Sequence, residues 1–67
     1  MMKNSLKVER AKKDMTQQDL ADQIGVSRQT INSIEAGKYV PSTVLALKLA
    51  KCFEIKVEDI FDLDEND

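Results

Sequence analysis

The chain has 67 residues, one cysteine, no histidine and a formal charge of -2 from ten basic and twelve acidic side chains. That length holds one small domain, the lone Cys52 cannot close an intramolecular disulfide, and neither a Ser-His-Asp triad nor a histidine zinc site has a residue to start from. With 2 glycines and 1 proline there is little turn material for an all-β fold, so one all-α domain over residues 1–67 is expected, with no metal, no cofactor and no enzymatic chemistry.

A first helix is predicted to open at Asn4 or Ser5, either a good N-cap, and to run to about Lys13, with Glu9 and Lys13 in the favourable i,i+4 order. The second follows Thr16, and Asp19 three residues on can complete a capping box. Leu20, Ala21 and Ile24 form its apolar stripe, Met15 can close onto Leu20, and Gly25 stands where a left-handed C′ residue is wanted. Ser27 then caps a third helix, residues 28–36, with Ile31 and Ile34 inward and Gly37 at its end. Beyond a loop ending at Pro41, Ser42 caps a fourth helix, residues 43–53, expected to turn Val44, Leu47, Ala50 and Leu45 inward. A last turn over 57–61 sets Val57, Ile60 and Phe61 at helical spacing, and Leu63 falls in a frayed end or short strand.

Charge is unevenly divided. Residues 1–51 carry nine basic side chains against five acidic, a balance of +4, whereas 52–67 carry Lys56 against seven acids, a balance of -6. Attraction to a polyanion depends on the local face rather than the total, so a basic body with an acidic end at 54–67 is compatible with nucleic acid provided that end points away. The longest apolar run, Val44-Leu45-Ala46-Leu47, is far short of the ~20 residues of a bilayer span. Met1-Met2-Lys3-Asn4-Ser5 has no apolar signal region, and an unpaired cysteine suits a reducing compartment. A cytoplasmic, nucleoid-associated protein is expected.

The second and third helices meet across so short a turn that they need a small residue at their crossing, Ala21, and a residue tolerant of positive φ, Gly25. Ile31 and Ile34 anchor the third helix and leave its other face outward, which is the helix-turn-helix arrangement over about residues 16–36. The outward face offers Arg28, Gln29, Asn32 and Ser33, followed in the loop by Lys38 and Tyr39, and residues 27–34 contain no acid. Arg can bridge guanine O6 and N7, and Asn or Gln can bridge adenine N6 and N7. A helical hairpin with a solvated face would more often mix Glu and Lys. Gln17 and Gln18 at the start of the second helix sit where free N–H groups and the dipole favour phosphate. Ser27 and Thr30 at the start of the third are expected to join them in positioning the backbone.

The run Thr16-Gln17-Gln18-Asp19-Leu20-Ala21 through Gly25-Val26-Ser27-Arg28-Gln29 to Ile31, Glu35, Gly37 and Lys38 resembles the helix-turn-helix of phage Cro and repressor proteins, the xenobiotic-response-element family. Pro41-Ser42, Leu47-Lys48-Leu49-Ala50 and Val57-Glu58-Asp59-Ile60-Phe61 continue the likeness over nearly the whole chain. The resemblance implies a five-helix lambda-repressor-like fold acting as a homodimer, probing bases with Arg28, Gln29 and Ser33 and phosphates with Gln17 and Lys38. It also implies a salt bridge between Arg10 and Glu35 beneath the third helix. Glu9 departs from the pattern, standing where many relatives carry an aliphatic residue.

One recognition helix reads only half of a useful site, and dimers place two such helices about one DNA turn, ~34 Å, apart. Phe61 and Leu63, set among acids, are interface candidates together with Ile60, although Ile60 and Val57 are also wanted by so small a core. The expected function is that of a sequence-specific, double-stranded-DNA-binding regulator, more often a repressor. The other reading is a protein-interaction module, antitoxin-like, whose acidic end binds a partner. Cys52 is expected to be a small half-buried apolar residue.

Overall fold

The computed structural model describes residues 2–67, so that Met1, the first residue of the N-terminal segment read above, lies outside the described residues. In chain order the elements are β1 (Lys3–Asn4), α1 (Leu6–Lys12), α2 (Gln17–Ile24), α3 (Arg28–Glu35), α4 (Thr43–Phe53), α5 (Val57–Ile60) and β2 (Phe61–Asp62).

Each long helix begins where a side-chain oxygen can take a backbone N–H left open by the first turn. The Thr16 hydroxyl accepts from the Asp19 N–H at 2.9 Å and the Asp19 carboxylate accepts from the Thr16 N–H at 3.0 Å, the reciprocal capping box. Ser27 and Ser42 accept from Thr30 N–H and Leu45 N–H, both at 3.1 Å. At α1 the two candidate caps divide the work. Ser5 occupies the cap position without a side-chain cap bond, while Asn4 Oδ1 accepts the Leu6 N–H at 3.2 Å.

The ends of α1 to α4 share one device. Asp14, Gly25, Gly37 and Glu54 all have left-handed φ, between 54° and 78°. The following residue in each case donates its N–H five residues back: Met15 to Arg10, Val26 to Ala21, Lys38 to Ser33 and Ile55 to Ala50, at 2.9–3.1 Å. Gly25 adopts this conformation freely, but Glu54 holds a β-carbon in it, which costs about 1–2 kcal/mol against about 0.5–1 kcal/mol of extra chain entropy for glycine. Glu54→Gly is therefore expected to stabilise the fold by about 0.5–1 kcal/mol, read in calorimetry as a melting temperature raised by roughly 3–6 °C.

The core is drawn from every helix, with Leu6, Leu20, Ile31, Ile34 and Leu49 essentially inaccessible. In α4 the buried face is Leu45, Leu49, Ala50 and Phe53, and this corrects the expected phase: Val44 and Leu47 are 64% and 57% exposed. Two residues along a helix turn about 200°, so Leu47 and Leu49 cannot face the same side. The i,i+4 row through Leu45, Leu49 and Phe53 took the core. The expected Glu9–Lys13 pair is also replaced. Lys13 lies past the last helical residue of α1, so Glu9 pairs with Lys12 at 3.3 Å, and Lys13 instead reaches the Cys52 carbonyl at 3.4 Å.

Near the chain ends, β1 and β2 pair antiparallel with Lys3 opposite Asp62 and Asn4 opposite Phe61, and the Ser5 N–H continues the ladder to the Ile60 carbonyl at 2.9 Å. The last helical turn stops at Ile60 and gives Phe61 to this ribbon, one residue earlier than its spacing suggested. Ile60 and Phe61 are both buried within the single chain, at 2% and 8% exposure, whereas Leu63 is 68% exposed. Cys52 is half-buried, and burial pushes its thiol up, partly offset by the charge of Lys13.

Candidate nucleic-acid interface

The unit that displays α3 is assembled from small and branched side chains. Leu20, Ala21 and Ile24 of α2 and Ile31 and Ile34 of α3 are all buried, and Ala21, with no exposure, admits the close crossing. Gly25, Val26 and the Ser27 cap span the turn between the helices. With its inner face fixed in this way, α3 leaves Arg28, Gln29 and Asn32 exposed and Thr30 and Ser33 half-buried, and Lys38 and Tyr39 are exposed just beyond it. Ser27, Gln29, Thr30, Ser33, Lys38 and Tyr39 line one shallow depression of ≈310 Å³. Six of the expected contact residues therefore share one depression, with Arg28 and Asn32 exposed on the same helix, and residues 27 to 34 carry no acid.

Glu35 is the nearest carboxylate in sequence to that face, and it is already engaged. Arg10 Nε donates to Glu35 Oε2 at 2.6 Å and a terminal guanidinium nitrogen donates to Oε1 at 3.0 Å, while the guanidinium also donates to the Met15 carbonyl at 2.8 Å. The two side chains retain 13% and 7% exposure, so this implied pair is a half-sealed bidentate clamp rather than two surface charges. Burial alone would push the Glu35 carboxyl up. The hydrogen bonds from Arg10 and Gln17, with the charges of Arg10 and Lys7, outweigh it and hold the group below the usual glutamate range. The same bond raises Arg10 further above its ordinary value despite some desolvation.

Gln17 extends this cluster to the recognition surface. Its Nε2 donates to Glu35 Oε1 at 3.1 Å and its Oε1 accepts from an Arg28 guanidinium nitrogen at 3.4 Å. The free protein thus uses the Gln17 amide to lean Arg28 toward α2. Gln18 donates to Asp22 at 2.8 Å, one turn on, and the hydroxyls of Ser27 and Thr30 share a bond of 2.9 Å. Asn4, like Gln17, has a reach to α3 that escaped sequence reasoning: besides capping α1, its Nδ2 donates to the Ile34 carbonyl at 2.8 Å. A contact across thirty residues leaves no local spacing by which to find it.

Two short helices joined by a tight turn, the second carrying no acid on its outward face before the clamped Glu35, define a helix-turn-helix protein. The family described as Helix-turn-helix matches residues 6–60, and the chain belongs to it. The chain is 56% identical over 66 residues to an uncharacterized HTH-type transcriptional regulator of Methanocaldococcus jannaschii, covering 98% of this chain and 100% of that one. It is 50% identical over 64 residues to the uncharacterized HTH-type transcriptional regulator YgzD of Bacillus subtilis, covering 96% and 97% of the two. Among solved structures, the restriction-modification controller protein C.AhdI from Aeromonas hydrophila superposes with a TM-score of 0.74 at 31% identity, covering 81% of this chain and 82% of that one. The chain is thus a short helix-turn-helix transcriptional regulator with the lambda-repressor-like fold. No helix among the described residues is long and apolar enough to cross a membrane.

Proposed function

We propose that the chain is a sequence-specific regulator of transcription that enters the major groove of double-stranded DNA with α3 and binds as a two-fold dimer. The observation that carries this reading is the exposed, acid-free face formed by Arg28, Gln29 and Asn32 beside Ser33 and Lys38. Arg28 and Gln29 occupy the first turn of α3, where side chains of this motif meet base edges, and Asn32 and Ser33 follow one turn on. Gln17, Gln18, Ser27, Thr30, Lys38 and Tyr39 flank them as phosphate contacts that fix register without reading sequence. Repression then requires only that the bound dimer cover its site.

The dimer reading keeps Phe61 and Leu63 from the expected set and adds the outer face of α4. Ile60 and Phe61 serve the core, and the exposed apolar side chains among the described residues include Val44 and Leu47 of α4, with Val8, Val40 and Leu63 elsewhere. Leu47 borders an apolar groove of ≈450 Å³ whose other walls include Met2, Pro41, Val57 and Phe61, and a second copy is its proposed occupant. Leu47→Asp should leave the fold intact, because the side chain faces solvent in the single chain. In sedimentation the variant should run as a monomer where the parent is a dimer, and its site affinity should fall at least tenfold as half of the contacts are lost. A parent that sediments as a monomer at binding concentrations would remove the dimer from the proposal.

Selection from a randomised duplex pool tests the whole reading. The expected product is an inverted repeat with half-sites about one turn apart, bound with a log–log salt slope of about -0.9 per phosphate contact. Enrichment of no sequence, with weak binding lost near physiological salt, would overturn it and turn attention to a protein partner at the acidic end.

A further inference from the structure

We infer that Asn4 is a positioning residue for DNA reading, fixing the C-terminal end of the recognition helix to the ribbon formed by the two ends of the chain; this rests on the reading of α3 proposed above. The Asn4 side chain is half-buried and works in both directions at once. Its Oδ1 accepts the Leu6 N–H at 3.2 Å, which caps α1, and its Nδ2 donates to the Ile34 carbonyl at 2.8 Å. Ile34 lies in the last turn of α3, and its carbonyl also accepts the Gly37 N–H at 3.0 Å, so the two lone pairs of one oxygen are both filled. The backbone of Asn4 is in turn held opposite Phe61.

Three attachments then set how α3 is tilted and rotated. Ile31 and Ile34 bury its inner face, the Glu35 clamp holds one side, and Asn4 holds the carbonyl end from which the Lys38 loop departs. A binding constellation tolerates only about 0.5 Å or 10–20° of error before its contacts weaken, so a direct bond to the helix backbone bears on how well base edges are met. Apolar packing alone does not supply that control, because a buried isoleucine can slide and re-pack where a hydrogen bond has direction.

Asn4→Asp separates this role from capping. The carboxylate can still accept the Leu6 N–H, but the donor is gone and an oxygen now faces the Ile34 carbonyl. The parent and variant are compared well below their melting temperatures for affinity to the selected site and to random duplex across a salt series. The expected result is a cooperative, folded variant whose ratio of specific to random affinity falls about tenfold, the size of one weakened base contact, with an unchanged salt slope. An unchanged ratio in a folded variant overturns the inference. Asn4→Ser provides a neutral second variant, since its hydroxyl can cap Leu6 and is too short to reach Ile34, and it should show the same loss. Amide shifts recorded without DNA give an independent readout: changes in Asn4→Asp should reach Ile34 to Lys38, and changes confined to the start of α1 overturn the inference. If the parent selects no site, the proposed function fails, and those shifts alone then decide the role of Asn4.

Discussion

Glu35→Ala is expected to destabilise the protein by about 3 kcal/mol, because removing one partner leaves the Arg10 guanidinium in a half-sealed site without its charge partner. Domains of this size hold about 0.05–0.15 kcal/mol per residue, so the loss is a third or more of the total and lowers the melting temperature by roughly 12–24 °C. Arg10→Ala should be comparable, and Arg10→Met with Glu35→Leu should recover most of the stability, since an apolar pair of similar volume avoids the desolvation that the clamp must offset. A double variant as weak as either single variant would show that the clamp itself, rather than the orphaned charge, holds the fold. The clamp also sets a pH dependence. The Glu35 carboxyl lies below its ordinary value in the folded chain, so its contribution is complete above about pH 4.3 and is lost as the pH falls through the folded value. Acid titration of Glu35→Gln followed by circular dichroism should show that part of the acid sensitivity removed.

Arg28→Ala is the second large effect. A guanidinium bridging two acceptors of guanine is worth about 1–3 kcal/mol of discrimination at each half-site, and a two-fold dimer uses it twice, so about 2–6 kcal/mol is at stake for the full site. That is a loss of roughly thirtyfold to more than ten-thousandfold in specific affinity, with the melting temperature unchanged because the side chain is exposed. Lys38→Ala should behave differently, lowering affinity for all sequences alike and reducing the magnitude of the salt slope by about 0.9. Equal losses on selected and random duplex in Arg28→Ala would reassign that residue to the phosphates. The Gln17 bond to Arg28, at 3.4 Å, is long enough to exchange for a base contact at small cost.

What the sequence made legible is what local chemistry controls. Thr16 with Asp19, Ser27, Ser42 and Gly25 act within one turn of their own position, and each was found where its residue type demands. Family resemblance pointed to the Arg10–Glu35 clamp, and the structure adds that Gln17 and the Met15 carbonyl complete it. The phase of α4 was not legible because Thr43–Phe53 is apolar on more than one side, so periodicity alone admits two inward faces. Which face won depended on what packs against it. The left-handed ends at Asp14 and Glu54 carry no glycine to announce them. The ribbon between Lys3–Asn4 and Phe61–Asp62 joins residues nearly a whole chain apart, and the Asn4 reach to Ile34 is invisible for the same reason. Residue types on the outward face of α3 were evident, whereas the internal partners of Gln17 and Gln18 were not, since an amide bonds whichever neighbour folding brings to it.

The ribbon has a further consequence for the order in which the molecule assembles. Pairing Lys3 with Asp62 closes a loop across most of the residues, and the entropy of closure grows with loop length, so this contact is among the more expensive ones to make early. The helix-turn-helix can zip from neighbours in sequence, but the latch on its far end waits until both termini have arrived. During native opening the order reverses: the short ribbon frays before the core, and each such event frees the carbonyl end of α3 while its isoleucines stay packed. On this order α3 would pack early and be fixed at its far end last.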